Sequence, residues 1–328
     1  MTLEDFLQQQ GIAENIIFDS NIHRFNPNGT KSKAGWYIGF NMGDSQVLVV
    51  GDFRSREKET WCSNNKLKSD PNFKKKIQEA QAKAVKEKQK RYRDAATAAQ
   101  KLWGQAEENK TNEYIDSKQI KQFGTRTSGE TLVIPIRNSE GHITSLQKIA
   151  PDGSKRFQYG GELAGCFFEL EGTKPLIYIV EGYATGASIH MATGAHVVCS
   201  LIASNLEATL KASKKLYPES KVILAADNDA FKQVNGEPYN TGLIYAKELN
   251  KKYEVPYRLP TFKDTSSKPT DFNDLHRLEG LEVVGAVFNQ VLIVGDDALE
   301  AMTTNTKLEL IVLWEEIGVD LTLQKNPI

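Results

Sequence analysis

From Pro175 onward the chain alternates short apolar runs with amphipathic ones, and this alternation limits the possible folds more than any other feature. The runs read as strand 176–181, helix 185–194, strand 196–201, helix 205–216, strand 221–227, helix 241–253, strand 255–260 and helix 271–280. The strands are apolar throughout, as "LIYIV" and "VILAA" illustrate, so both of their faces must be covered. Strands of that kind joined by helices predict an α/β unit: a parallel sheet with helices on both faces.

Sites in such a sheet form at the carboxyl ends of the strands. Two of those ends carry acids: "IYIVEGYATG" (177–186) places Glu181 there, and "VILAADNDA" (222–230) places Asp227 and Asp229. Either motif alone is weak, because acids stabilise helix starts and Asp-x-Asp is common in loops. Together, on two strands of one alternating unit, they point to a shared cation, since neighbouring carboxylates repel unless they are neutralised. Mg²⁺ suits carboxylate oxygens and substrate phosphates, with Mn²⁺ as an alternative. A third segment, "KPTDFNDLHRLEG" (268–280), adds Asp271 and Asp274, which read equally well as accessory acids or as helix caps.

Upstream, residues 1–66 open with a short helix and continue with "AGWYIGFN", "QVLVVGDF" and "EKETWCS", which predict a small antiparallel sheet. Trp36, Tyr37 and Trp61 in that sheet read as core in preference to base-stacking residues. Residues 72–108 predict one long helix after Pro71, with a stripe through Phe73, Ile77, Ala80, Ala84, Tyr92, Ala95, Ala99, Leu102 and Ala106. Between Lys74 and Arg93 it carries nine Lys or Arg against Glu79 and Glu87, either a solvated face or a stripe for nucleic acid. The stretch 128–161 predicts a β-meander with strands at 131–137, 142–150 and 155–159, flanked by Arg126, Arg137, Lys148, Lys155 and Arg156.

The net charge is −1, so a polyanionic partner must be met by a patch and not by the whole surface. Cys62, Cys166 and Cys199 are far apart and form no C-x-x-C pair, which argues against a zinc ribbon or a disulfide framework and fits a reducing cytoplasm. The acidic start "MTLEDFLQQQ" and the lack of a membrane-length apolar run predict a soluble, cytoplasmic protein with no membrane partner.

The pair "IYIVEGYATG" and "VILAADNDA" resembles the Toprim domain of bacterial-type primases, type IA and type II topoisomerases and some nucleases, over about residues 174–290. The resemblance implies that Glu181, Asp227 and Asp229 are catalytic, Mg²⁺-binding acids and that Gly182 permits a tight turn. "TDFNDL" is similar to the acidic segment that closes the unit, making Asp271 and Asp274 accessory metal ligands. One ion at Glu181 and Asp227 would then activate a hydroxyl, and a second, at Asp229 with Asp271 or Asp274, would hold a triphosphate. A topoisomerase would need a strand-cleaving Tyr on a further domain, and Tyr183 reads as a turn residue; no G-x-x-x-x-G-K-[ST] loop occurs. His190 and His196 read as structural.

Residues 112–172, with "YIDSKQIKQFG", "LVIPIRN" and "LQKIAPDGSKRF", are similar to the subdomain that precedes Toprim in primases of phages, plasmids and integrated mobile elements. "VVGDFRSREKETW" is similar to a segment near the start of such proteins. The resemblance implies a DNA primase, a nucleotidyltransferase making short primers on single-stranded DNA from nucleoside triphosphates and working with a replicative helicase, fused or separate; the chain departs from chromosomal bacterial primases in having no set of four Cys/His ligands for an N-terminal zinc ribbon, so no zinc is expected. Lys118, Arg126, Lys148, Lys155 and Arg156 are the candidates for triphosphate and template phosphates. The alternatives are a Toprim nuclease and a non-catalytic DNA-binding replication subunit. The expected organisation is a small α+β domain (1–66), a basic helix or linker (67–111), a mixed α+β subdomain (112–173), the Toprim domain (174–295) and a C-terminal helical segment (296–328).

Overall fold

The computed structural model describes residues 1–27, 35–42, 45–52, 58–64, 71–234 and 236–289; the expected C-terminal segment 296–328 lies outside them. The chain divides into two compact units, Met1–Arg91 and Tyr92–Ile328.

In the first unit, helix α1 (Leu3–Gln9) starts with a capping box in which the Thr2 hydroxyl accepts from Asp5 N and the Asp5 carboxylate accepts from Thr2 N. Strands β1 (Ile22–Phe25), β2 (Gly35–Met42), β3 (Ser45–Asp52) and β4 (Lys58–Cys62) form an antiparallel sheet in that order. The run "IHRF" of β1 is too short and polar to signal a strand. Tyr37, Leu48, Val50 and Trp61 pack with Phe6, Ile12 and Phe25 on one face, so Tyr37 and Trp61 are core residues. Tyr37 Oη accepts from Ile17 N, and Trp61 Nε1 donates to Met1 O.

The boundary between the units falls inside α2 (Pro71–Gln105), the expected long helix. Its C-terminal half follows the predicted stripe: Ala99 is buried, and with Leu102 and Trp103 it packs on Val133, Ile143 and Leu146.

The second unit continues with α3 (Glu113–Ser117) and an antiparallel sheet of β5 (Arg126–Ser128), β6 (Thr131–Arg137), β7 (Ile143–Ile149) and β8 (Lys155–Phe157). A second sheet follows, built from β9 (Phe168–Leu170), β10 (Thr173–Val180), β11 (Ala195–Cys199) and β12 (Lys221–Ala225). After the hairpin of β13 (Gln233–Val234) and β14 (Glu237–Pro238), β15 (Tyr257–Arg258) completes it in the order β15-β12-β10-β11-β9. Four of these strands are parallel, as expected; β9 is an antiparallel edge. The helices are α4 (Tyr183–Thr193), α5 (Leu206–Leu216), α6 (Thr241–Tyr253), α7 (Phe272–Glu279) and α8 (Leu281–Asn289).

The apolar strands divide their side chains between two layers. Ile177, Ile179, Val198 and Leu224 pack with Leu210 of α5 and Leu249 of α6. Tyr178, Val180, Cys199 and Ile223 pack with Ala187 of α4, Leu275 of α7 and Val284 of α8. This second layer also holds Leu132, Ile134 and Ile149, and it joins the two sheets where Arg137 and Phe167 exchange backbone hydrogen bonds of 2.8 and 2.9 Å. Two expectations are corrected. The strand expected at 255–260 contracts to two residues, and β9, too short to signal in sequence, extends the sheet upstream of residue 174.

Candidate functional site

Strands β10 and β12 are direct neighbours, with Val180 opposite Ala225, so the acids that follow them leave the sheet at the same edge. Glu181 follows Val180 immediately, and its backbone carbonyl accepts from Leu201 N at 2.8 Å. Burial raises the pKa of its carboxyl group; Lys155 opposes that shift and Asp229 adds to it. Asp227 lies beyond the end of β12. Burial first, then the charges of Asp271, Glu181 and Asp229, raise its pKa well above the usual carboxylate range, against the pull of Lys155. Its Oδ1 is buried and has no hydrogen-bond partner among the described residues.

The start of α6 holds the Asp227–Asp229 turn. Asn240 caps the helix, its Oδ1 accepting from Leu243 N at 3.1 Å and from Asp229 N at 3.0 Å. Its Nδ2 donates to Asn228 Oδ1 at 2.8 Å, and Asn228 Nδ2 donates to Pro260 O at 3.0 Å. Gly242 N donates to Asp229 Oδ2 at 3.3 Å. A Cβ on Gly242 would stand 2.0 Å from Asp227 O, so the helix approaches this closely only because the residue is glycine.

Asp271 is the N-cap of α7: its Oδ1 accepts from Asp274 N at 2.8 Å and its Oδ2 from the Thr185 hydroxyl at 3.0 Å. Burial and Asp274 raise its pKa, while Lys118 favours its charged form. Asp274 serves the same helix start, its Oδ2 accepting from Thr270 N at 2.9 Å. The three acidic segments therefore bring Glu181, Asp229 and Asp271 into electrostatic range of Asp227, whereas Asp274 completes a cap.

A cation fits this cluster. The orphaned Asp227 oxygen and the mutual repulsion of the acids both call for positive charge. Among the described residues no three His, Cys, Asp or Glu side chains close on one point to hold a metal by themselves.

The five basic candidates separate. Lys155 Nζ lies 3.9 Å from where a Gly182 Cβ would stand, beside Glu181, and Lys118 attends Asp271. Lys148 and Arg156 are register partners on β7 and β8, and with the exposed Tyr159 they line a separate groove. Because neighbouring residues of a strand point to opposite faces, Arg156 and Lys155 diverge. Arg126 is engaged elsewhere: its guanidinium lies 4.5 Å over the Trp103 ring, donates to Trp103 O at 2.9 Å and pairs with Glu108.

The turn expected of Gly182 is corrected. Its φ of −98° is ordinary extended backbone, and a side chain there would meet Thr185 and Lys155 at no less than 3.5 Å. Tyr183 is buried, and its hydroxyl accepts from Phe123 N at 2.9 Å, a structural role. His190 bonds Ala195 O, and His196 bonds Glu169. Sequence reasoning missed Lys232, Asn240, Gly242 and Thr185. "NTG" before a helical run was a readable cap signal for the second and third; a lysine in a polar loop gave none for the first.

Residues 176–282 match the Toprim domain family. The chain is 28% identical over 254 residues to a DNA primase TraC of Escherichia coli, covering 73% of this chain and 24% of the relative. A second DNA primase TraC of Escherichia coli is 30% identical over 231 residues, covering 66% of this chain and 16% of the relative. The chain thus spans a quarter or less of these relatives. Among solved structures, the Aquifex aeolicus primase, with zinc binding and RNA polymerase domains, is similar at 12% identity and a TM-score of 0.42, covering 97% of this chain and 94% of that one. Residues 176–282 carry a Toprim domain, within a chain similar to DNA primase TraC.

Proposed function

We propose that the protein is a DNA primase that makes short primers on single-stranded DNA from nucleoside triphosphates. The observation that carries this is the convergence of Glu181, Asp227, Asp229 and Asp271 around a buried, unpartnered carboxylate oxygen, inside the Toprim match of a chain similar to DNA primases. Glu181, Asp227 and Asp229 would hold a divalent ion, Mg²⁺ in preference, with Asp271 as an accessory ligand and Asp274 holding Asp271 through the cap. When bound, such an ion neutralises the charge that develops as a 3′-hydroxyl attacks an α-phosphate and pyrophosphate leaves. Lys155 and Lys118, at the rim of the cluster, bind phosphate oxygens of the nucleotide; Lys148 and Arg156, in their own groove, bind the phosphates of the template. Three buried free cysteines are consistent with a reducing cytoplasm. No helix among the described residues is long and apolar enough to cross a membrane.

The test is primer synthesis on single-stranded DNA of mixed sequence with labelled ribonucleotides and Mg²⁺. Short products that disappear in Asp227→Ala support the reading. Metal-dependent shortening of the template without synthesis would replace it with a nuclease, and silence in both assays would leave a DNA-binding subunit.

A further inference from the structure

Lys232 follows the acid pair by three residues. Its Nζ lies 3.7 Å from Asp229 Oδ2, too far for a strong hydrogen bond, and the side chain is half exposed. Its backbone is fixed on both sides: Lys232 N donates to Asp229 O at 3.0 Å, and its carbonyl accepts from Tyr239 N at 2.8 Å across the β13–β14 hairpin. The backbone at the rim is therefore tied down, and the half-exposed four-carbon stem reaches from it toward Asp229. The ammonium lines the same cleft as Glu181 and Asp227, and it favours the charged form of Glu181 as well.

A divalent cation at Asp229 and this ammonium are like charges competing for one oxygen. Loading the cation repels the lysine, and the phosphate chain that such a cation carries offers it a new negative partner. A lysine is suited to that exchange, because it meets phosphate as a mobile point charge.

We propose that Lys232 is the exchangeable counter-ion of the site: it pairs with Asp229 while the metal is absent and moves to the β- and γ-phosphates of an incoming nucleoside triphosphate once the metal is bound. This deepens the primase reading and rests on it.

The test measures Mn²⁺ binding to the full chain by the electron spin resonance of free Mn²⁺, without nucleotide, for wild type, Lys232→Ala, Lys232→Arg and Asp227→Asn. Removing a half-exposed ion pair releases Asp229 for the metal, so Lys232→Ala binds Mn²⁺ roughly two- to fivefold more tightly, and Lys232→Arg stays near wild type. With the metal saturating, Lys232→Ala binds a nucleoside triphosphate roughly tenfold or more weakly, and a nucleoside monophosphate as wild type does. Unchanged or weaker Mn²⁺ binding in a folded Lys232→Ala, or equal losses for mono- and triphosphate, overturns the proposal while the metal site stands on its loss in Asp227→Asn. If wild type binds no Mn²⁺ either alone or with a nucleoside triphosphate, the metal site falls and this proposal with it, whereas the primase reading is decided by primer synthesis.

Discussion

Replacing Gly242 by alanine tests how the site is held. The new Cβ would stand 2.0 Å from Asp227 O and 2.8 Å from its carbonyl carbon, where ordinary contact begins at 3.4 Å. Both partners are backbone, so no rotamer change relieves the clash. Either α6 backs away or the Asp227–Asp229 turn shifts, by more than an ångström. Overpacking of this kind costs about 1–3 kcal/mol, and a unit of this size loses roughly 2–4 °C in Tm per kcal/mol. Because misplacing reacting groups by about 1 Å can cost on the order of a hundredfold in rate, the larger effect falls on the proposed primer synthesis. The control is Gly172→Ala, whose Cβ would meet the Ala195 and Gly194 backbone at 2.5 Å, just before β10 and at the end of the sheet remote from the acids. Thermal unfolding with and without Mg²⁺ separates the two. Both variants melt lower than wild type, and only Gly242→Ala also loses the metal-induced rise in Tm. A Gly242→Ala protein with wild-type Tm and metal response would refute the reasoning.

Two further outcomes are expected. Glu181, Asp227 and Asp271 all have raised pKa values in the folded state, so the metal-free fold binds extra protons, and its stability falls as pH rises from the ordinary carboxylate range through those raised values. In chelator, melts at pH 5 and pH 8 should show wild type losing stability with rising pH and Asp227→Asn losing less; an identical dependence in the two would remove the cluster as its cause. Arg126→Ala removes a stacked guanidinium and its bond to Trp103 O, lowering stability by about 1–3 kcal/mol with the KM for nucleotide unchanged; a raised KM at unchanged stability would return Arg126 to the phosphate-binding set.

The parallel sheet was readable because its strands are apolar on both faces, a pattern that period and length alone distinguish from a meander. The helices followed from their apolar periodicity, and Asp271 was readable as a cap, whereas Asn240, which caps α6, was passed over. Of the strands of two to four residues, β1, β5, β9, β13 and β14 were not read and β8 and β15 were read too long, since so few residues carry no period and are set by the neighbours they pair with. The same limit applies to the site. Glu181, Asp227 and Asp229 announce themselves as acids at strand ends, whereas the assignment of Arg126 to Trp103 depends on how α2 packs on its sheet, and that of Lys155 to the Glu181 edge on how the two sheets meet. Whether Asp274 is a ligand or a cap was undecidable from spacing, because a capping box and an acidic pair have the same sequence.

The join at Arg137 and Phe167 ties two sheets whose side chains meet at one cluster: the acids come from β10, β12 and α7, and the lysine that tempers them comes from β8. The segment that matches the Toprim family is therefore not a transplantable part. Cut out and grafted into another scaffold, it would bring its carboxylates and Lys232 but not Lys155, and the host would inherit a more proton-hungry pocket than the one found here.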